Sequence, residues 1–335
     1  MSSLLSPNRP RPLGAVTLAL AAGLLAALVL PAPPALAAEG TSWSVAPADT
    51  AVGQDRGNFE YALAPGAVVD DAFEIRNDGT EALTLEVYAA DAFTTREGNI
   101  DLLPAGTPST DAGTWVSLGS NQVTLQPGET SVVPFQIRVP ADAVPGDHPA
   151  GVISSLRSAD ASAEVQVDRR LGSRLYIRVD GALSPAAEVT DLVTSYSGSL
   201  DPFGVGTLDI AYTLTNTGDT RVTATSAVEA AGPFGLAGAS APVEQLAEVL
   251  PGSSIDVRQQ VTGLAALFWL SGAVSVSPTG VGIGGTPLET VSTSFGMLAL
   301  PVIPLLALLV VALLVLALVL ILRRRKRAAA GRAAA

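Results

Sequence analysis

Apolar and polar residues alternate with a period of two through most of the middle of the chain. Phe73 and Ile75 are followed by Leu83, Leu85 and Val87; Phe135, Ile137 and Val139 repeat the pattern, as do Leu175, Ile177 and Val179. Successive side chains of a strand point to opposite faces, so this alternation predicts strands with one face in a core and the other in water. Gly, Pro, Asn and Asp punctuate the runs roughly every eight to twelve residues, the rhythm of a β-sandwich. No long amphipathic helical pattern interrupts them. The stretch 271–287 is rich in Gly, Ser, Thr and Pro and reads as irregular, and 158–163 reads as an exposed hairpin tip.

The alternation gives way to continuous apolar runs at both ends. Arg9 and Arg11 precede an apolar run over 13–30, which Pro31, Pro33 and Pro34 break before Ala35-Leu36-Ala37. Basic residues, an apolar core and a small-x-small site predict a secretory signal peptide over 1–37, cut after Ala37. The second run, 298–322, carries no charge, has Pro301 and Pro304 near its start, and leads into Arg323-Arg324-Arg325-Lys326-Arg327. From Val302 to Leu322 a helix would be about 31 Å long at ~1.5 Å per residue, the thickness of a bilayer core. A helix apolar on every side has no polar face to show to water, so 298–322 is expected to cross a membrane. The basic cluster marks its cytoplasmic side, and the tail 323–335 is too short to fold. The expected location is the cell membrane, single-pass, with the N-terminal ectodomain outside. Leu300-Pro301-Val302-Ile303-Pro304 lacks the Thr-Gly of a sortase signal, and with no Cys there is no lipobox.

An internal repeat divides the middle. The nine residues from Ala72 through Asn77-Asp78-Gly79 to Thr80 match those from Ala211 through Asn216-Thr217-Gly218 to Asp219. Each is a strand running into an Asn-x-Gly turn, where Asn and Gly are expected to supply the positive φ of a tight hairpin. Downstream, Gln126-Pro127-Gly128 matches Leu250-Pro251-Gly252, each turn launching another alternating strand. The wider separation in the first copy places an insertion at about 94–115. The expected fold is all-β: two tandem immunoglobulin-like β-sandwiches plus one C-terminal transmembrane α-helix. The first sandwich is assigned to 38–181 and the second to 182–296. The joint at Leu183-Ser184-Pro185 is short, so the two are expected to pack together rather than swing freely.

Charge and cysteine content narrow the function. All 31 Asp and Glu fall between the two apolar runs, whereas Arg9, Arg11 and six residues of the tail take much of the basic complement of 19 out of that region. The ectodomain is therefore strongly acidic. It lacks the footprint of a nucleic-acid binder, and attraction to anionic lipid or teichoic acid is not expected of it. The absence of Cys removes disulfides, a thiol nucleophile and thiolate metal sites.

Within the first sandwich, Trp43-Ser44-Val45-Ala46-Pro47 is followed by Gly53-Gln54, Phe59-Glu60-Tyr61-Ala62-Leu63 and Pro65-Gly66. Phe73-Glu74-Ile75-Arg76-Asn77, then Thr94-Thr95-Arg96-Glu97-Gly98-Asn99-Ile100, Pro140-Ala141-Asp142 and Pro145-Gly146-Asp147-His148 come next in order. This ordered set resembles the peptidoglycan-binding domain of the WxL-interacting proteins of Gram-positive bacteria, with 172–179 similar to its closing strand, over residues 43–181. The resemblance implies attachment to peptidoglycan by the first sandwich and to a protein partner by the second. The chain is not itself similar to a WxL protein: Trp115-Val116-Ser117-Leu118 has the wrong spacing, and Phe268-Trp269-Leu270 is not Trp-x-Leu.

Candidate chemistry is sparse. The sole histidine, His148, sits in Pro145-Gly146-Asp147-His148-Pro149, and Ser154 and Ser155 nearby have no Gly-x-Ser-x-Gly elbow, so a triad is not expected. Asp70 and Asp71 are adjacent on a strand and should face opposite ways rather than converge on a glycosidic bond. No Asp-x-Asp-x-Asp-Gly calcium loop occurs. Sugar rings stack on aromatics beside polar groups, which makes Trp115 the leading glycan-binding candidate, with Asn58, Tyr61 and Thr95 from the matched motifs; Trp115 reads equally well as a core residue. The expectation is a non-enzymatic, membrane-anchored surface protein without cofactor. It would bind peptidoglycan through its first sandwich and a surface or wall protein through its second. The alternative is an adaptor that pairs sheet edges with other surface proteins, with no glycan affinity.

Overall fold

The computed structural model describes residues 40–157, 168–201, 204–282 and 287–333. The expected signal peptide and the expected hairpin tip at 158–163 lie outside them. Ten strands build the first sandwich: β1 (Trp43–Pro47), β2 (Phe59–Leu63), β3 (Val68–Asn77), β4 (Leu83–Thr94) and β5 (Ile100–Leu102). After a short 3-10 turn at Ala112–Trp115 come β6 (Val116–Leu118), β7 (Gln122–Leu125), β8 (Thr130–Arg138), β9 (Gly146–Arg157) and β10 (Asp168–Val179). One sheet runs β1-β3-β8-β6; the other runs β2-β10-β9-β4-β5, with β7 also on β4. The inward residues Phe59, Phe73, Ile75, Leu85, Phe135, Ile137, Leu175 and Ile177 fill the space between them, as the alternation requires.

The second sandwich is made of β11 (Ala187–Ser197), β12 (Gly206–Asn216), β13 (Val222–Ala231), β14 (Ala239–Ser240), β15 (Glu244–Gln245), β16 (Ser254–Leu264), β17 (Phe268–Gly280) and β18 (Val291–Ala299). Its sheets run β11-β12-β16 and β14-β13-β17-β18, with β15 also on β13. Leu208, Ile210, Leu214, Val228, Val257, Val261 and Val274 belong to a second, separate core. The chain is thus two tandem immunoglobulin-like sandwiches followed by one helix, α1 (Val302–Ala333).

Three expectations are corrected. The part 271–280 is not irregular: β17 runs to Gly280 as a central strand between β13 and β18, turning Leu270, Val274 and Val276 inward behind small outward residues, while 283–286 lie outside the described residues. The apolar run does not become helical at Leu298. Leu298 and Ala299 pair with Trp269 and Phe268 as the end of β18, and the helix starts after Pro301. The helix also continues through the tail to Ala333, because Arg, Lys and Ala are strong helix formers.

The Asn-x-Gly repeats work differently from a hairpin. β3 and β4 lie in different sheets, as do β12 and β13, so each repeat carries the chain from one sheet to the other. Neither asparagine nor glycine has a positive φ. Instead the fully buried Asn77 donates from Nδ2 to the carbonyls of Glu81 and Leu125 and accepts from Gly79 N–H. Asn216 does the same with Thr220, Val249 and Gly218. A Cβ on Gly218 would lie 2.2 Å from Ala186 N and one on Gly79 3.0 Å from Gly40 O, so glycine is required for close approach. The Pro-Gly turns do hold glycine at positive φ (Gly128 76°, Gly252 72°). Each donates its N–H to the carbonyl of the matching asparagine.

Candidate functional site

The sequence-derived glycan candidates do not form one site. Tyr61 is 6 % exposed on β2 and donates its hydroxyl to Asp71 on β3. Trp115, 8 % exposed, closes the 3-10 turn with its ring 4.6 Å from that of His148. Neither ring has a free face for a sugar: sequence alone left Trp115 open between ligand and core, and the structure places it in the core. Thr95 builds the turn after β4, donating its N–H to Asn99 O and accepting at Oγ1 from Asn99 N–H. Asn58 is exposed in the loop before β2, three residues ahead of Tyr61, whose side chain is turned into the core.

The acidic, serine and histidine residues for which the sequence offers no catalytic pattern are likewise occupied. Asp70 and Asp71 do face opposite ways: exposed Asp70 accepts from Gln136, while buried Asp71 is held by Arg56, Tyr61 and Thr50. Burial alone would raise the Asp71 pKa. Hydrogen bonds from Arg56, Tyr61, the Ala72 N–H and Thr50 outweigh it and bring it down to about 2. His148 has an acceptor at each nitrogen: the Asp111 carboxylate at Nδ1 (2.7 Å) and Val144 O at Nε2 (2.8 Å). Burial pulls its pKa down, but those two acceptors favour the doubly protonated ring and the balance is raised. Ser154 Oγ accepts from the Trp43 indole and donates to Leu171 O. Among the described residues no cluster of three metal-ligating side chains occurs.

Two features to which the sequence assigned no role carry the polar chemistry. The first is the seam between the sandwiches. Arg178 grips Asp147 with two bonds of 2.7 Å, and Arg221 N–H donates to the same carboxylate at 2.7 Å. The Arg221 guanidinium, in the second sandwich, lies 3.9 Å above the Tyr176 ring of the first and pairs with Glu60 and Glu248. Thr94 Oγ1 donates to Glu248 O and accepts from Leu250 N–H across the same seam. These side chains fill the seam and leave no space for a ligand. The repeat held a signal for it: five residues past the asparagine, the first copy has Ala82 and the second has Arg221.

The second feature is a groove of about 430 Å³ on the first sandwich, lined by Asp101, Leu102, Asp168, Arg170, Gly172 and Arg174. The insertion builds one wall. The Asp91 carboxylate accepts N–H bonds from Thr110, Asp111 and Gly113, which folds the segment back on β4. Leu102 then lies over Gly151 and Gly172, where a Cβ would meet its methyls at 2.5 and 3.2 Å. Arg170 bonds to Leu102 O and sits 3.8 Å from Asp101, and Arg174 is exposed along the rim.

No family model matches this chain, and no curated protein does. Among solved structures it is similar to the class 5 fimbriae chaperone CfaA, with a TM-score of 0.34 and 10 % identity over 78 % of this chain and 100 % of that one. It is also similar to the CupB2 chaperone of Pseudomonas aeruginosa (0.30, 10 %, 72 % and 99 %). A third likeness is to a chain of the Salmonella enterica SafA pilin–SafB chaperone complex (0.32, 9 %, 77 % and 99 %).

Proposed function

We propose that this chain is a membrane-tethered, non-enzymatic binding protein that holds its first sandwich out from the lipid to grip peptidoglycan. The observation that carries this is the arrangement of its parts. The helix leaves the second sandwich from the Ala299 end of β18, whereas the first sandwich docks at the opposite end, around Asn216, Arg221, Ser253 and Val281. The 11-residue strands β12 and β16 between those ends span roughly 35 Å at ~3.3 Å per residue. Joined tightly at both ends, the second sandwich acts as a spacer. The ordered motifs resembling the peptidoglycan-binding domain of WxL-interacting proteins all lie in the sandwich that is held out. The basic cluster after Leu322 orients that sandwich outside the cell.

The groove at Arg170 and Arg174 is the contact we assign to the glycan. Its size suits a small-ligand site, and two arginines can bind the carboxylates that peptidoglycan carries on its peptide groups. Full-length protein in detergent should sediment with purified peptidoglycan, and Arg170→Ala with Arg174→Ala should lose about tenfold in retention. Wild-type retention no greater than that of an unrelated acidic sandwich ends the wall-binding reading.

Sheet-edge pairing with a surface protein, served by the same anchor, is favoured by one observation. β8 pairs with β3 along its length but with β6 only over Phe135–Ile137, so its first half is an edge as far as Pro134. Recovery of a protein partner by in-cell crosslinking from Val132, with no sedimentation, would select this reading.

A further inference from the structure

The end of the second sandwich from which α1 departs gathers exposed large apolar side chains, which elsewhere on the described residues of the two sandwiches are scattered. Three connections gather there. The β11–β12 connection presents Leu200, 88 % exposed. The β13–β14 connection presents Phe234, wholly exposed, and Leu236. The β16–β17 connection and the strands beside it present Phe268, Trp269 and Leu298. Register places them together: Ser197 pairs with Thr207, Gly206 with Leu264, Ala231 with Ser271, and Phe268 with Ala299. The only charged residue in 198–201, 232–238, 265–269 and 298–304 is Asp201, in an ectodomain that is otherwise densely acidic.

The backbone at this end is set to project its rings. Phe234 (φ 59°) and Phe268 (φ 69°) both adopt the left-handed conformation. Bulky side chains rarely take it, and it persists where surrounding structure enforces it. Trp269 is 45 % exposed and lies across Gly296, where a Cβ would come within 2.6 Å of the indole. On the outer face of the β17–β18 ladder the pair Trp269/Leu298 is apolar. The pairs further from the helix, Ser271/Gly296, Ala273/Ser294 and Ser275/Ser292, are small or polar.

We infer that this end of the second sandwich is seated in the membrane interface, with Leu200, Phe234, Leu236, Phe268, Trp269 and Leu298 in contact with lipid. The occupant follows from continuity. Val302–Arg324 is long and apolar enough to cross a bilayer, and only Leu300 and Pro301 separate it from the strand that carries Leu298. Where that helix spans, these side chains are brought to the headgroup level, the depth at which tryptophan is enriched. Burying apolar area there is favourable, with nearly no charge to desolvate. The inference rests on the membrane-spanning reading of α1. It adds that the ectodomain sits against the lipid with a fixed tilt rather than pivoting on a free stalk.

Trp269 is a built-in probe, because Trp43 and Trp115, the other tryptophans, are buried in the first sandwich. The full chain is reconstituted in phosphatidylcholine vesicles whose acyl chains are brominated either near the headgroup or near the methyl end. Tryptophan emission is compared with Trp269→Phe, and alkaline extraction is run in parallel. Expected is roughly twofold quenching of the Trp269 component by shallow bromines, less by deep ones, and protection from aqueous iodide. Phe234→Ser with Leu200→Ser should reduce that quenching while the Trp43 and Trp115 emission is retained. Extraction-resistant protein whose Trp269 responds to iodide but not to brominated lipid overturns the seating and leaves the spanning helix standing. Protein stripped off by alkali overturns both.

Discussion

The two sandwiches turn the same corner with the same clasp but fill their polar interiors differently. In each, one buried asparagine ties two carbonyls and one glycine N–H at the crossing between sheets. The first sandwich then places ionisable groups inside, with Asp71 bound by Arg56 and Tyr61, and His148 bound by Asp111. In the second sandwich the buried polar chain is different: Tyr212 donates to Ser226 at 2.6 Å, Ser226 to Gln259 at 2.9 Å, and Gln259 to the Glu244 carboxylate at 3.0 Å. The backbone crossing leaves the same groups needing partners in both copies, so the asparagine is dictated by geometry. The interior needs only that each polar atom be satisfied, and two different sets of side chains meet that need. The first sandwich should therefore show pH responses at Asp71 and His148 that the second does not share.

The largest expected effect lies where the two meet. Asp147→Ala removes the carboxylate that pairs with Arg178 and accepts Arg221 N–H, leaving two arginines short of a partner at a site where both are almost wholly buried (side chains 11 % and 5 % exposed). Breaking a buried pair in this way costs about 3–5 kcal/mol. Calorimetry should show two separated transitions for the variant where the wild type shows coupled melting. A single transition at the wild-type temperature would mean that the seam contributes nothing to coupling.

Next come the clasps. Asn77→Ala and Asn216→Ala each strip hydrogen bonds from three backbone groups, and an unsatisfied buried group costs about 1–3 kcal/mol. Because the two clasps match bond for bond, the losses should agree within about 1 kcal/mol, each in its own sandwich by hydrogen exchange. A large loss at one and none at the other would show that the repeat is sequence likeness without shared mechanics.

How far the amino-acid pattern foretold this structure can be judged from particular residues. Strands were legible because inward positions such as Phe73/Ile75 and Leu175/Ile177 repeat every second residue, and a strand converts that directly into faces. The stretch after Leu270 was misread because Gly, Ser and Thr outside a thin apolar line resemble loop composition, although neighbours on both sides supply full pairing. The asparagine clasp was located but given the wrong cause, since Asn-x-Gly in a tight hairpin and in a sheet crossing are spelled alike. Trp115 reads equally as ligand-facing or core from its type, and only the fold shows it and Tyr61 buried. The seam was hidden because Asp147, Arg178 and Arg221 come together only in the folded chain.

A smaller effect separates the sandwiches in acid. The Asp71 pKa is lowered from 3.8 to about 2 on folding, so its contribution is complete above about 3.8 and is lost as pH falls through about 2. Asp71→Asn should weaken the first sandwich at neutral pH and flatten its stability curve over that acid window, with the second sandwich unchanged. An identical acid slope in wild type and variant, followed by tryptophan emission from Trp43 and Trp115, would show that Asp71 is not what titrates.

The smallest effect is the sharpest test of the comparison, because the second sandwich contains no histidine at all. The folded pKa of His148 is raised above 6.5, since the Asp111 carboxylate and Val144 O together hold both ring protons. A raised pKa gives stability that is fully present below the unfolded value and disappears as pH climbs through the folded one. The first sandwich should accordingly lose stability on going upward from pH 6.5, while the second stays level. His148→Gln, which does not titrate, should make the first sandwich level as well. The Trp115 ring, 4.6 Å from the imidazole, reports the event directly: its emission should shift with the same midpoint in the folded protein and lose that dependence in the variant. A midpoint below 6.5 would mean that burial outweighs the two acceptors and that His148 is neutral at physiological pH, and the contrast between a titrating and a silent sandwich would then rest on Asp71 alone.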